Sequence, residues 1–212
     1  MARSGTRGQQ LRGAQARGRV VDAAIEALRQ RGFAGASARE IARIGGFAQG
    51  VVFYHFGTMD EVLLAALDRV GEQRMARYSA AVAAASTIPE LVDVASGIYR
   101  EDLEQGHLKV LAELIAASSS NPELGAAVAD RIEPWVSFTA EVIERFLTGS
   151  PLATVVPVQD AAFAIVAVFL GVELLTTLDG NRHPADSLIR SAGDLGALLA
   201  PFIQPGPQEA TP

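Results

Sequence analysis

Apolar residues recur at three- and four-residue intervals along most of the chain, and no alternating strand pattern or Asn-Gly turn interrupts them. The first periodic segment spans residues 17–31, with Val21, Ala24, Ile25 and Leu28 on one face and Gly32 as its stop. Ser37-Ala38-Arg39-Glu40 then reads as a capping box: the serine hydroxyl takes the amide three residues on, and the glutamate returns to the serine amide. It opens a short helix carrying Ile41, Ala42 and Ile44, closed by Gly45-Gly46. A second short helix follows over residues 49–55 and ends at Gly57, and Thr58 to Glu61 form another box that opens a long helix to residue 84. Further helices are predicted over 89–106, 107–118, 122–148, 158–178 and 186–202, with Pro122 at a first helical position and Pro134 as a point of kinking. The fold class is all-α, with about nine helices.

Four stretches follow from this pattern: a flexible basic arm (1–16), a three-helix segment (17–58), a larger helical body (59–204) and a disordered polar tail (205–212). Charge divides the same way. The net charge of −6 conceals nine arginines against three acids (Asp22, Glu26, Glu40) in residues 1–58, while the remainder is strongly acidic. A basic quarter on an acidic body assigns contact with a polyanion to the first part alone. All basic residues except Lys109 are arginine, which together with the high alanine content fits codon bias more than phosphate recognition.

Composition removes several classes. With 49% of residues hydrophobic, burying a core is not in question. With no cysteine, disulfides, thiolate metal sites and cysteine nucleophiles are excluded. His55, His107 and His183 are far apart and form no zinc-type pair, so neither a metal nor another cofactor is expected, and no catalytic residue is assigned. The longest uninterrupted apolar run, Ala161 to Val172, is 12 residues, short of a membrane span. No apolar segment follows the N-terminal charges as in a signal peptide. A cytoplasmic protein without membrane contact is the expectation.

Two short helices joined by a glycine turn make a helix-turn-helix. Its recognition helix must turn apolar residues inward and polar ones outward, and Val52, Phe53 and Phe56 are expected to face Ile25, Leu28, Phe33, Ile41 and Phe47. The Ser37 hydroxyl and neighbouring amides suit a phosphate oxygen, and Arg39 adds charge one turn in. Gln49 suits adenine or phosphate, Gly50 permits close approach to the groove, and Val51 suits a thymine methyl. Tyr54 and His55 are placed to donate to the backbone. Arg3, Arg7, Arg12, Arg17 and Arg19 are placed to enter a minor groove or to add nonspecific affinity.

With Ala24, Gly32-Phe33, Ser37, Glu40-Ile41-Ala42, Gly46, Gly50, Tyr54-His55-Phe56 and Leu63-Leu64 in this order, residues 17–64 resemble the DNA-binding domain of the TetR family of transcriptional regulators. The resemblance implies a three-helix DNA-binding domain followed by a larger ligand-binding and dimerisation domain. It further implies a homodimer on a palindromic double-stranded operator, acting as a repressor and released by a small-molecule effector. Dimerisation is expected through the last two helices, where Phe163, Val166, Phe169 and Leu170 give an apolar surface wider than one stripe. An apolar or amphipathic effector is expected to meet Tyr99, His107, Leu111, Glu113, Trp135, Phe138, Phe169 and Glu173. The alternative is a helical interaction or ligand-binding module without specific DNA binding. Four positions depart from the family pattern: Ile44 replaces a polar residue, Gly45 an alanine that would stiffen the turn, Ala48 a capping serine or threonine, and Met59 a phosphate-binding lysine.

Overall fold

The structure, a computed structural model, describes residues 3–105, 107–179 and 183–203. The described residues form nine α-helices and a short 3-10 turn: α1 (Arg3–Gly35), α2 (Ala38–Gly45), α3 (Gly50–Phe56), α4 (Met59–Ala84), α5 (Ile88–Gln105), α6 (His107–Ser118), α7 (Pro122–Leu147), the 3-10 turn Pro151–Thr154, α8 (Val158–Asp179) and α9 (His183–Ile203). The expected tail, 205–212, lies outside the described residues. Pro134 sits inside α7 without ending it.

Residues 3–16, expected as an arm, are helical and continue α1 toward the N-terminus. Gln9, Gln10, Leu11, Ala14, Gln15 and Ala16 are all good helix formers, so a helix already nucleated at 17–31 propagates back through them despite the glycines.

The chain divides into two compact units, one of residues 1–73 with 106–129, the other of 74–105 with 130–212. The first is larger than the 17–58 segment read from the sequence. Its core takes Val20, Ala24 and Leu28 from α1, Ile41 from α2, Val52 and Phe56 from α3, and Val62, Leu63 and Ala66 from α4. Val110 and Leu114 of α6 and Leu124 and Val128 of α7 are buried as well. Each such Leu or Phe contributes about 1.5–3 kcal/mol by leaving water. Ile25, Phe33 and Phe47, expected inside, are only half-buried.

In the second unit α5 packs on α9 and α8 on α9. Its core includes Tyr78, Ile98, Tyr99, Ala140, Leu147 and Ala162, together with the buried ionisable residues Arg74, Asp102 and Glu173. One broad face of α8 and α9 stays open: Phe163, Ile165, Val168, Leu175, Leu188, Leu195 and Leu198 are all exposed. From Val158 to Thr176, α8 is long and apolar enough to cross a membrane by length and composition, a length reached only when Gln159, Asp160 and Glu173 are admitted beside the 12-residue run.

Candidate functional site

The helix-turn-helix is built from local signals. Ser37 is extended (φ −78°, ψ 159°), and its Oγ accepts from the Glu40 amide at 3.3 Å, as a cap should. The return half of the expected box is absent. The Glu40 carboxylate instead accepts from Arg43 Nε and a terminal nitrogen at 2.9 and 2.7 Å and lies 3.5 Å from Arg31. The Arg43 hydrogen bonds, joined by the charges of Arg43 and Arg31, hold its carboxyl at about 2. The serine amide donates to the Gly35 carbonyl and so does not need Glu40.

α2 ends in a left-handed Gly46 (φ 66°, ψ 40°) whose amide donates to the Ala42 carbonyl, which explains the second glycine of the pair. Gly45 has a different cause. A Cβ there would stand 2.0 Å from the Phe47 ring, so the missing side chain seats that ring instead of merely loosening the turn. The turn is also tied down, because Arg19 donates to the Gly45 carbonyl at 2.9 Å and lies 6.0 Å from the centre of the Phe47 ring. Arg17 stacks on Phe56 at 4.4 Å. Both arginines were expected to reach for DNA, and both also brace the domain. The side chains of Arg3, Arg7 and Arg12 lie outside the described residues.

α3 begins without a side-chain cap, as Ala48 implies: Gln49 is helical (φ −52°, ψ −35°), and no side chain bonds the first amides. Val52 and Phe56, four residues apart, form the buried stripe. Phe53 departs from the expectation. It is 43% exposed, because the one-residue offset from Val52 turns it about 100° around the axis of a helix too short to be buried on two sides. Gln49 and Gly50 are exposed, and Tyr54 is 85% exposed. Gln49, Gly50, Phe53 and Tyr54 therefore form one outward face, and Phe53 is the member that the sequence reading placed in the core. His55 is half-buried and meets Tyr54 edge to face at 5.0 Å, and Val51 is half-buried. Ser37 and Arg39 are exposed at the start of α2.

The expected effector residues separate. Glu113 and Leu111 belong to the first unit, where Leu111 is buried and Glu113 accepts from the Phe33 amide at 2.8 Å. The His107 side chain lies outside the described residues. The other five gather in the second unit around a residue that the sequence did not single out, Arg74. Its guanidinium lies 5.0 Å from the centre of the Trp135 ring and 5.7 Å from that of Phe169. Tyr99 meets Phe169 edge to face at 5.2 Å, Tyr78 meets Trp135 at 5.5 Å, and Phe138 meets Trp135 at 6.5 Å. Arg74 Nε donates to Asp102 at 2.7 Å, Arg77 reaches the other Asp102 oxygen at 3.3 Å, and Arg77 also pairs with Glu101. Burial pushes Glu173 up to about 8 and Tyr78 up to about 12, and in both Arg74 opposes the shift only in part. A usable signal for the missed residues is the run Arg74, Arg77, Tyr78 at helical spacing on α4, three and four residues apart. Among the described residues no cluster of three or more His, Asp or Glu is arranged to hold a metal ion.

The family model described as "Bacterial regulatory proteins, tetR family" matches residues 20–66. The HTH-type transcriptional regulator CymR of Pseudomonas putida is 27% identical over 131 residues, a match covering 60% of this chain and 63% of that relative's length. Among solved structures, a TetR-family regulator from Cytophaga hutchinsonii superposes with a TM-score of 0.75 at 20% identity, covering 88% of this chain and 95% of that one. The multidrug binding protein EbrR complexed with malachite green gives a TM-score of 0.62 at 26% identity, covering 87% and 98%. The matched segment starts within α1, takes in the whole of α2 and α3 and the first turns of α4, and contains the exposed face described above. The helix-turn-helix geometry and the family match agree on the same segment, and residues 20–66 form an N-terminal domain of the kind described for the TetR family of bacterial regulatory proteins.

Proposed function

We propose that this chain is a cytoplasmic transcriptional repressor that binds a palindromic operator as a homodimer and leaves it when a small molecule binds. The observation that carries this reading is the outward face of α3: Gln49, Gly50, Phe53 and Tyr54 point away from a core secured by Val52 and Phe56. In the major groove Gln49 pairs with a base edge or phosphate, Gly50 allows close approach, and Phe53 and Val51 offer apolar contact to thymine methyls. Ser37, Arg39, Tyr54 and His55 hold phosphates on either side. The test is selection of the purified protein on a random duplex library. An inverted repeat with two equal half-sites is expected, and a selected single half-site contradicts the homodimer.

The second copy is proposed to dock against α8 and α9, where Phe163, Leu175, Leu195 and Leu198 are exposed and no other described residue covers them. Replacing both Leu175 and Leu198 with glutamate is expected to shift sedimentation in detergent-free buffer from a dimer to the 22.3 kDa monomer. Unchanged sedimentation excludes this face. Parent protein recovered only with detergent or vesicles makes α8 a membrane helix instead. The effector class is apolar or amphipathic, supported by the aromatic group of Tyr99, Trp135, Phe138 and Phe169.

A further inference from the structure

The broken end of α1 is capped by α6. At Gly32 the backbone turns left-handed (φ 68°, ψ −177°). In an unbroken helix the Phe33 amide would donate to the Arg29 carbonyl. Here the Phe33 amide donates to Glu113 Oε2 at 2.8 Å, and the Arg29 carbonyl accepts from Lys109 Nζ at 2.9 Å. One backbone bond is thus replaced by two charge-assisted ones, from an anion and a cation four residues apart on one face of α6. A Cβ at position 32 would stand 2.8 and 2.9 Å from the Glu113 oxygens, so any side chain there displaces Glu113 from the Phe33 amide. Lys109 is the one lysine in the chain, a compact cation suited to a single carbonyl.

The segment that follows is folded onto this break. The Ala36 amide donates to the Gly32 carbonyl, the Ser37 amide donates to the Gly35 carbonyl, and Ser37 caps α2. The far end of α2 is held by Arg19 on the Gly45 carbonyl. The far end of α2 is thus tied to α1 directly, while at its near end the chain enters α2 from a break in α1 that α6 caps four residues before Ser37.

We infer that Lys109 and Glu113 are positioning residues for DNA binding: they touch no DNA, but their double cap on the Gly32 break fixes the direction in which the chain enters α2 and α3. The inference rests on the DNA-binding reading above and adds the residues by which α6 controls it. α5 belongs to the second unit and α6 to the first, so the chain passes from one directly into the clasp.

The test compares the parent with Glu113→Ala, Glu113→Gln and Lys109→Met by amide hydrogen exchange and by anisotropy on a duplex that the parent has selected from a random library. Glu113→Ala is expected to speed exchange of the amides of residues 33–40 and to weaken duplex binding, each about tenfold or more, while the amides of residues 20–28 keep their protection. Glu113→Gln, which keeps an acceptor in place, is expected to recover most of the affinity. A purely structural role would lower the melting temperature and leave the affinity of the folded protein unchanged. Should Glu113→Ala not fold, Lys109→Met carries the same two measurements. Variants that bind and exchange like the parent overturn the role of α6 alone, whereas a parent that selects no duplex overturns the DNA-binding reading with it.

Discussion

Replacing Asp102 with leucine is expected to cost about 3–5 kcal/mol of folding stability, because it leaves Arg74 buried and without the carboxylate that compensates its charge. Arg74 and Asp102 are both almost fully excluded from solvent, and their 2.7 Å pair is the shortest route by which either recovers what it loses on leaving water. The Trp135 and Phe169 rings beside the guanidinium add attraction but supply no charge. Arg77 is partly exposed and keeps Glu101, so it adds little to the loss. The companion variant carries the opposite expectation. Arg74→Met with Asp102→Leu removes both charges, keeps the volume apolar and returns to within about 1 kcal/mol of the parent. Urea titrations of the parent, the single and the double variant at neutral pH check both. A single variant as stable as the parent, or a double variant as poor as the single one, contradicts the assignment.

The second large effect is a pH dependence carried by Glu173. The buried carboxyl, facing Arg74 and Asp102, holds its proton to about pH 8, whereas in the unfolded chain it ionises near the ordinary 4.5. Between these values the folded protein binds the extra proton, so stability falls as pH rises, by up to about 1.4 kcal/mol per unit. The favourable contribution is complete below pH 4.5, lost progressively toward pH 8, and absent above it. Other groups titrate in the same range, so the quantity to measure is the stability of Glu173→Gln minus that of the parent. This difference is expected to grow from pH 5 to pH 8 by a few kcal/mol and then level off. A difference that is flat across the window places the carboxylate in a solvated or fully paired setting and contradicts the burial.

Local chemistry made much of the fold legible in the sequence. Ser37, Gly46, Gly57 and Thr58 mark helix ends by capping or by a left-handed backbone, and such signals act over four residues or fewer. The core stripe of α3 was readable at Val52 and Phe56, and its error at Phe53 has a simple origin. Hydrophobicity predicts burial, yet a seven-residue helix buries only one narrow side, and an apolar residue one step away is left outside. The reach of the first unit was not legible. Lys109, Glu113 and Asn121 bond to residues 80, 80 and 61 positions away, and no periodicity encodes such pairs. For the same reason Glu113 reads as a polar group among apolar neighbours until the Phe33 amide is seen opposite it. In the second unit Tyr99, Trp135, Phe138 and Phe169 were named from the sequence, but Tyr78 and the cation beside these rings were not, since Arg74 and Tyr78 lie on the long α4 among other polar residues.

The measurement that bears most directly on the central claim is duplex selection from a random library by the parent and by a Gln49→Ala, Tyr54→Ala double variant, repeated at two salt concentrations. Both residues are exposed on α3, so the variant is expected to fold as the parent does. The parent is expected to enrich one inverted repeat, and the double variant to lose the enrichment while retaining salt-sensitive, sequence-independent binding through its arginines. Equal enrichment by both proteins, or none by the parent, contradicts α3 as the reading element.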